Sequence, residues 1–238
     1  MSSLFVTATG TELGKTFTGA ALLNGARAAG ATVKGLKPVA SGIDDGNLAD
    51  SDPAVLLRAQ GEPVDWPQVE RICPWHFAAA LSPDMAAARE GRRVPFDELV
   101  GFCRRALAGP EAFVLVEGVG GVMAPIDERH TVLDWVKALE IPALLVAGTY
   151  LGTISHTLTA LATLAGCGVP VEALVLSESE ASPVPPAETA AAIQRFAPGV
   201  PILHAPRLAG PDAWRGLADL YPALRRAGRS AGGAPAPR

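Results

Sequence analysis

The stretch that decides the fold is Leu4-Phe5-Val6-Thr7-Ala8-Thr9-Gly10-Thr11-Glu12-Leu13-Gly14-Lys15-Thr16, an apolar run that passes through a polar loop into a helical pattern. Gly14-Lys15-Thr16 at a strand-to-helix junction is typical of the end of a phosphate-binding loop, in which backbone N–H groups and the helix N-terminus face the phosphates. Lys15 then neutralises phosphate charge, and Thr16 reaches a Mg²⁺ ion. The strict pattern GxxxxGK(S/T) fails because Thr9 stands at its first glycine. The alternative is that Gly14-Lys15-Thr16 occurs here by chance. Its position between the first apolar run and the first helical pattern argues against that alternative.

Short apolar runs rich in β-branched residues alternate with helical patterns along the chain. The apolar runs are residues 4–7, 33–36, 113–116, 143–147, 171–176 and, more weakly, 200–203. The helical patterns cover residues 15–29, 96–108, 131–139, 153–165 and 187–196. This alternation predicts an α/β fold with a P-loop-type parallel sheet and helices on both of its faces.

One domain accounts for most of the chain. Its 238 residues are 49% hydrophobic and 18% charged, which suits a single packed core of ordinary size. We place this P-loop domain at residues 1–224. Residues 225–238 are rich in Gly, Ala, Pro and Arg and cannot bury enough apolar surface to offset their ordering entropy, so we predict a disordered tail there.

Charge and cysteine content exclude several classes of protein. The net charge is −4 and the Lys and Arg residues are scattered, so the chain has no basic stripe for a nucleic-acid backbone. Cys73, Cys103 and Cys167 lie far apart without CxxC spacing, which predicts neither a disulfide framework nor a zinc site. We interpret them as buried thiols of a cytoplasmic protein.

Residues 141–171 contain no Asp, Glu, Lys or Arg, and the length of this run alone is compatible with a membrane span. Interruptions at Gly148, Gly152 and Gly166 instead favour a buried strand, a loop and a helix. The first residues of the chain enter an apolar run at once and lack the form of a secretory signal peptide. We therefore expect no membrane partner and no export.

Polar residues follow further strands at the edge where an open parallel sheet binds its ligands. The second apolar run leads into Lys37-Pro38-Val39-Ala40-Ser41-Gly42, which places Lys37 and Ser41 at this edge. Pro38 keeps the chain extended there. The alternative for Lys37 is a solvated lysine at a strand end. Because an exposed lysine contributes little to stability, Lys37→Ala is expected to nearly abolish turnover and leave the fold intact.

An acidic group follows the third apolar run, as Glu117 in Glu117-Gly118-Val119-Gly120-Gly121. A carboxylate beside glycines that let a ligand approach the backbone is typical of an acid that faces Mg²⁺. Its alternative is the acceptance of backbone hydrogen bonds in a tight turn. From the aspartate-rich loop at residues 42–52 we select Asp52 to complete a Mg²⁺ site with Thr16 and Glu117. A helix cap or a solvated charge is the alternative for Asp52.

With these motifs in place, the chain resembles the dethiobiotin synthetase family over about residues 3–210. The phosphate-binding loop alone is not specific, but the Lys-Pro-Val-Ala-Ser-Gly run together with Glu-Gly-x-Gly-Gly distinguishes this family among P-loop proteins. The matching segments are Val6-Thr7, residues 9–16, residues 37–42, Ser51-Asp52, Ser82-Pro83, residues 116–121, Asp134-Trp135-Val136, residues 151–156 and Pro206-Arg207-Leu208.

The resemblance implies a reaction and an assembly. The fold would be a seven-stranded parallel sheet in a homodimer, and the reaction would close 7,8-diaminopelargonate with CO₂ to dethiobiotin, in biotin biosynthesis. It would use ATP and Mg²⁺ and pass through a carbamate and a carbamic-phosphoric mixed anhydride. Lys37, Lys15 and Thr11 would take the catalytic roles.

The resemblance also implies binding residues, position by position. For the nucleotide they are Glu12, Leu13, Gly14, Lys15, Thr16, Phe17, Asp52, Glu117, Gly118, Val119, Gly120, Ser177, Pro206, Arg207 and Leu208. For the diamine they are Thr11, Lys37, Ser41, Ser82, Gly152, Thr153 and Ser155. The last three begin a helix that would meet the substrate carboxylate from the partner subunit. A core helix inside one subunit is the alternative.

Two positions depart from the family pattern. Ala8 stands where the family has glycine, which slightly crowds the start of the loop. Ser177 stands where the family has the asparagine that reads the nucleobase. A serine offers one hydroxyl in place of the donor and acceptor of a carboxamide, so we expect a weaker preference for adenine.

Three other functions are left open. One is another P-loop amide-forming or amidotransferase-type synthetase. Another is a positioning protein that dimerises on ATP, which Gly10 disfavours because such switches carry a second lysine there. The third is a binding protein that has lost catalysis, which the presence of Lys15, Lys37 and Glu117 disfavours.

Overall fold

Six parallel strands form the main sheet in the computed structural model of the protein, which describes residues 2–231. The strands along the chain are β1 (Ser2–Ala8), β2 (Val33–Leu36), β3 (Val39–Ser41), β4 (Trp75–Phe77), β5 (Phe113–Glu117), β6 (Ala143–Ala147), β7 (Val171–Ser177) and β8 (Ile202–Ala205). The main sheet has the order β2-β5-β1-β6-β7-β8, and β3 and β4 form a separate parallel pair. The six predicted strands are confirmed, the last of them beginning at Ile202.

Helices cover both faces of this sheet, as predicted. Those in the described part of the chain are α1 (Lys15–Ala28), α2 (Asp52–Gln60), α3 (Trp66–Ile72), α4 (Pro83–Arg89), α5 (Phe96–Leu107), α6 (Val132–Leu139), α7 (Thr153–Gly166), α8 (Pro186–Phe196) and α9 (Leu220–Ala231). α1, α2 and α9 pack on one face and α5 to α8 on the other, as right-handed crossovers between parallel strands require. Phe5, Leu22 and Leu115 are fully buried in the core between these layers.

The seven-stranded sheet implied by the resemblance is corrected to six strands plus a pair. Pro38 lies between β2 and β3 and has no N–H to donate, and the ladder of β2 with β5 stops at Leu36. β3 pairs with β4 instead, with Val39 opposite Trp75. The N–H of Trp75 donates to the carbonyl of Pro38 at 3.1 Å. β4 therefore pairs with β3, which continues the chain from β2, and lies outside the main sheet.

The C-terminal helix corrects the predicted boundary at residue 225. Leu220 and Leu224 lie one helical turn apart and are both buried, and α9 packs against β7 and β8 as well as α1. This burial stabilises a helix that continues through Ala231, although its composition alone indicates disorder. The rest of the predicted tail, residues 232–238, lies outside the described residues.

The uncharged run folds as predicted, into the buried strand β6, a loop and the helix α7. Within residues 2–231, no helix combines the length and the apolar character needed to cross a membrane. Cys73 and Cys103 are buried, as predicted, but the prediction of a buried thiol is wrong for Cys167. This residue follows the last turn of α7, where the chain turns at the surface.

Candidate functional site

The loops that follow the carboxyl ends of three neighbouring strands meet at one edge of the main sheet. The phosphate-binding loop follows β1, Lys37 follows β2, and Glu117 ends β5. β5 lies between the other two, with Val116 opposite both Leu36 and Phe5. This register brings Lys37 and Glu117 to the side of the loop, as the sequence analysis expected.

The phosphate-binding loop has a backbone suited to anions. Glu12 and Gly14 adopt left-handed conformations with φ of 59° and 87°, and such residues turn successive N–H groups toward one side of a loop. α1 begins at Lys15, so its unpaired N–H groups and the positive end of its dipole face the same region. Nζ of Lys15 donates to the carbonyl of Gly10 at 3.1 Å across the loop. The loop therefore offers both backbone donors and a cation to a phosphate.

Gly14→Ala is expected to destabilise this loop by more than the strain of a left-handed alanine alone would. A Cβ at Gly14 would lie 2.6 Å from Oγ of Ser177, whereas one at Gly30, with a similar φ of 82°, would meet no heavy atom within 4 Å. Gly30→Ala is thus the matched control for left-handed strain, which costs about 1 kcal/mol. In urea unfolding we expect Gly14→Ala to lose about 1–2 kcal/mol more than the control. In calorimetry with ADP it should bind about tenfold more weakly than the control. Equal losses in both variants would contradict the prediction.

Lys37 is buried at the centre of a charged cluster, and the prediction of an exposed lysine is wrong. Its side chain is only 2% exposed. Nζ lies 2.5 Å from Oε1 of Glu117, 2.9 Å from Oδ2 of Asp52 and 3.0 Å from the carbonyl oxygen of Gly118. Two carboxylates and a carbonyl offset the desolvation of the ammonium, which burial would otherwise make unfavourable. The cap of α2 is Ser51, whose Oγ accepts from a backbone N–H, so the Asp52 carboxylate is left to pair with Lys37.

Charge interactions within this cluster decide the protonation states. Burial lowers the pKa of Lys37, but the carboxylates of Asp52 and Glu117 outweigh it and hold that pKa above its usual value. Burial raises the pKa of Asp52, and the Lys37 ammonium reverses this, so the net shift is downward. Burial and the nearby Lys37 ammonium lower the pKa of Lys15 to about 8. At neutral pH the phosphate-binding loop therefore lies beside two ammonium groups.

Thr16, Asp52 and Glu117 supply hard oxygen donors on the same cluster. Oγ1 of Thr16 donates to Oε1 of Glu117 at 2.7 Å, and the same Oε1 accepts from Lys37, so Glu117 is engaged by side chains rather than by a tight backbone turn. The side chain of Asp52 is 49% exposed. Within residues 2–231 no three acidic, His or Cys side chains form a metal site by themselves. Hydroxyl, carboxylate and phosphate oxygens together are what Mg²⁺ prefers, so this donor set fits Mg²⁺ held jointly with a nucleotide.

A cavity of about 660 Å³ opens beside the cluster. Most of the predicted site residues line it, namely Thr11, Glu12, Leu13, Gly14, Lys15, Thr16, Phe17, Lys37, Ser41, Asp52, Ser82, Val119 and Gly120. Glu117 and Gly118 lie behind its wall and join it through Lys37. The hydroxyl of Ser41 is buried and makes no hydrogen bond within the described part of the chain. It is available to a polar group of a ligand.

The sequence analysis missed part of the cavity wall, which is formed by Ala40, Ala80, Leu81, Pro83, Gly121 and Ala124. Ala80 and Leu81 lie between β4 and α4 and carry no chemical signature. The available signal was Ser82-Pro83, a capping residue followed by proline that is typical of a helix start. It identifies Ser82 but not the apolar residues before it.

Ser177 and residues 206–208 lie on the side of the phosphate-binding loop opposite to Lys37. Ser177 ends β7 and approaches Gly14 through its Oγ. Pro206, Arg207 and Leu208 follow β8, which neighbours β7. The N–H of Arg207 donates to Oε2 of Glu178 at 3.1 Å, which ties the two segments together. They form a surface next to the loop rather than a wall of the cavity.

Gly152, Thr153 and Ser155 lie at the start of α7, outside the cavity of their own chain. Gly152 has a φ of 99° and precedes the first turn. Oγ1 of Thr153 donates to the carbonyl of Gly148 at 2.7 Å, so this hydroxyl is already engaged. Leu151 is 86% exposed. Gly152 and Ser155 are also exposed, whereas Thr153 is buried, so the start of the helix lies at the protein surface with Thr153 facing inward.

Comparisons with known proteins show which proteins this chain is similar to. A family model described as an AAA domain matches residues 2–208. ATP-dependent dethiobiotin synthetase BioD of Acidiphilium cryptum is 49% identical over 202 residues, 84% of this chain and 91% of the relative. The enzyme of the same name from Methylobacterium nodulans is 49% identical over 94% of this chain and 100% of its own length. The MinC:MinD cell division complex of Aquifex aeolicus aligns with a TM-score of 0.54 at 13% identity, over 100% of this chain and 98% of the other, a likeness of P-loop fold alone.

Proposed function

Since this chain belongs to the ATP-dependent dethiobiotin synthetase family, we propose that the cavity beside Lys37 holds the reacting groups of that ring closure. The chain is a ligase that forms dethiobiotin with ATP in biotin biosynthesis. The observation that carries the proposal is that Lys15, Lys37 and the oxygen donors around Glu117 border one cavity. Its volume of about 660 Å³ lies within the range of roughly 300–1,000 Å³ for small-molecule sites.

The proposed substrates are 7,8-diaminopelargonate and CO₂. One amine attacks the carbon of CO₂ and loses a proton, which gives a carbamate. A carbamate oxygen then attacks the γ-phosphorus of ATP and ADP leaves, which gives a carbamic-phosphoric mixed anhydride. The second amine attacks the carbonyl carbon, phosphate leaves, and the cyclic urea forms. No protein nucleophile takes part, so the chain acts by placement and charge compensation.

The main barrier is the approach of a carbamate anion to a charged γ-phosphate. The ammonium groups of Lys15 and Lys37 reduce this repulsion. The N–H groups near Thr11 and Glu12 hold the carbamate in line with the phosphorus. Thr16 and the two carboxylates of the cluster would hold Mg²⁺, which neutralises phosphate charge when bound.

The remaining wall of the cavity suits the rest of the diamine. Ser41 and Ser82 offer hydroxyls at the amine end, and Ala80 and Leu81 offer an apolar surface to the carbon chain. The nucleobase would lie against Ser177 and residues 206–208. We place the enzyme in the cytoplasm, where its cysteines remain thiols.

We further propose a homodimer in which the start of α7 receives the substrate carboxylate from the partner subunit. The free N–H groups of a helix N-terminus attract a carboxylate, and the exposed Leu151 offers apolar area for an interface. Sedimentation should therefore give twice the mass of the 24.5 kDa chain. A monomer at concentrations where the enzyme is active would contradict the arrangement.

Ser177 is expected to make the enzyme less selective for its nucleobase. A single hydroxyl cannot satisfy both the donor and the acceptor of an adenine edge. We expect kcat/KM for ATP to exceed that for CTP or GTP by less than about tenfold, and Ser177→Asn to raise this ratio several-fold. A relative that carries asparagine at this position, assayed in parallel, is the control. Equal ATP preference in the two wild-type enzymes would contradict the prediction.

The function itself is tested with the purified protein, the diamine, MgATP and bicarbonate. Phosphate release should depend on the diamine, and mass spectrometry should find dethiobiotin in equal amount. Phosphate release that is the same without the diamine would identify a plain ATPase. A product of another mass would identify a different amide-forming synthetase.

A further inference from the structure

The ammonium of Lys37 has no donor left for a substrate. Its three N–H groups match three acceptors within 3.0 Å, which are Oε1 of Glu117, Oδ2 of Asp52 and the carbonyl of Gly118. The side chain also lines the cavity. To assist a reaction there, Lys37 has to give up at least one of these contacts.

The two carboxylates that hold Lys37 are the same ones that fit Mg²⁺. Oε1 of Glu117 already accepts from both Lys37 and Thr16, and Asp52 is bonded to Lys37 through Oδ2. A divalent ion bound by these oxygens would lie a few ångströms from the ammonium, where two cations repel strongly in a poorly solvated site. The ammonium and the metal ion therefore compete for one pair of carboxylates.

We propose that Lys37 and Mg²⁺ exchange at this cluster. Before the metal binds, Lys37 offsets part of the negative charge of Asp52 and Glu117 and so limits the repulsion between the two carboxylates. Metal binding takes over that role and releases the flexible side chain of Lys37 into the cavity, where the carbamate and the γ-phosphate meet. The inference rests on the proposed function, because it takes Asp52 and Glu117 as metal ligands and Lys37 as a catalytic residue.

Because of the exchange, the net charge of the cluster depends on whether Mg²⁺ is bound. Without metal, one ammonium and two carboxylates leave the cluster with one net negative charge, which does not attract the phosphates. With metal, the carboxylates are neutralised separately and the ammonium is an additional free cation. The positive charge needed by two reacting anions then appears only when the nucleotide and its metal are in place.

The direct test is the affinity of the protein for Mg²⁺ with ADP saturating and no diamine. Removing a competing cation tightens metal binding, so we expect Lys37→Gln to bind Mg²⁺ at least tenfold more tightly than the wild type. Lys34→Gln is the matched control and should leave the affinity unchanged, because Lys34 lies on β2, the strand that leads to Lys37, and is partly exposed and 3.7 Å from Glu111. Equal or weaker Mg²⁺ binding by Lys37→Gln would overturn the exchange, because it would show that Lys37 organises the carboxylates instead of competing for them.

A second measurement uses the wild type and does not depend on the folding of a variant. Lysine acetylation by a reactive ester is followed by mass spectrometry with ADP saturating, either in Mg²⁺ or in NaCl of equal ionic strength. We expect the rate at Lys37 to rise at least tenfold in Mg²⁺ and the rate at Lys34 to stay constant. A Lys37 rate unchanged by Mg²⁺ would overturn the exchange even if dethiobiotin is formed. Absence of dethiobiotin in the synthesis assay would instead overturn the proposed function.

Discussion

Lys37→Gln is expected to lower kcat for dethiobiotin formation by about a thousandfold or more. The variant keeps the approximate shape of the side chain but removes the cation that would compensate the approach of the carbamate to the γ-phosphate. Because this charge acts mainly in the transition state, kcat should fall far more than the affinity for ATP. The measurement is steady-state kinetics with product quantified by mass. A kcat close to that of the wild type would exclude a catalytic role for Lys37.

The same variant should also be less stable, in contrast to what the sequence predicts for an exposed lysine. Glu117 is fully buried and loses its ammonium partner, and breaking such a buried pair costs about 3–5 kcal/mol. Lys37→Gln/Glu117→Gln removes both charges and should recover much of this loss in urea unfolding without recovering activity. Lys34→Gln alters a partly exposed ion pair at 3.7 Å and should change stability by less than about 1 kcal/mol. Full stability of the single variant would show that the buried pair contributes little.

Lys15→Gln is expected to lower kcat/KM for ATP by about a hundredfold to ten-thousandfold. Lys15 is the cation of the phosphate-binding loop, and its loss should weaken the ground state and the transition state together. The free energy of unfolding should change little, because two effects oppose each other. The variant loses the hydrogen bond from Nζ to Gly10, but it also loses the repulsion between the charges of Lys15 and Lys37. Calorimetry with ADP and urea unfolding check the two parts.

Comparison of the two lysine variants separates their roles. Lys15→Gln should lose ATP affinity and keep stability, whereas Lys37→Gln should lose kcat and stability without any loss of ATP affinity. Unchanged ADP binding by Lys15→Gln would contradict the assignment of the phosphate-binding loop. If Lys15→Gln lost as much stability as Lys37→Gln, Lys15 would belong to the structural ion cluster.

The parts of the fold that the sequence predicted are those with a local signal. β5 and β6 are nearly continuous apolar runs, as buried parallel strands require. The phosphate-binding loop was identified by a tripeptide at a strand-to-helix junction. Lys37 and Glu117 were placed at one edge because both follow strands of a parallel sheet, and the register of β5 with its neighbours confirms this placement.

The parts that the sequence did not predict depend on contacts between distant residues. Lys37 is buried because Glu117, 80 positions away, and Asp52 supply its counter-charges, and no pattern around residue 37 indicates this. β4 has three residues, which is too short for alternation to be visible. α9 continues past residue 225 because Leu224 is covered by the rest of the fold. Burial by other elements thus outweighs a composition typical of disorder.

The break at Pro38 gives the site two regions of unequal stiffness. The phosphates would bind to a loop that extends from the six-stranded main sheet. The outer wall of the cavity is instead supported by β3 and β4, which form a ladder of three residue pairs. A ladder with so few hydrogen bonds opens locally at low free-energy cost. The segment that carries Leu81 and Ser82 can therefore move without displacing Lys15. Diamines with a carbon chain one methylene longer or shorter would therefore be tolerated by displacement of this outer wall, while the phosphoryl chemistry keeps its geometry.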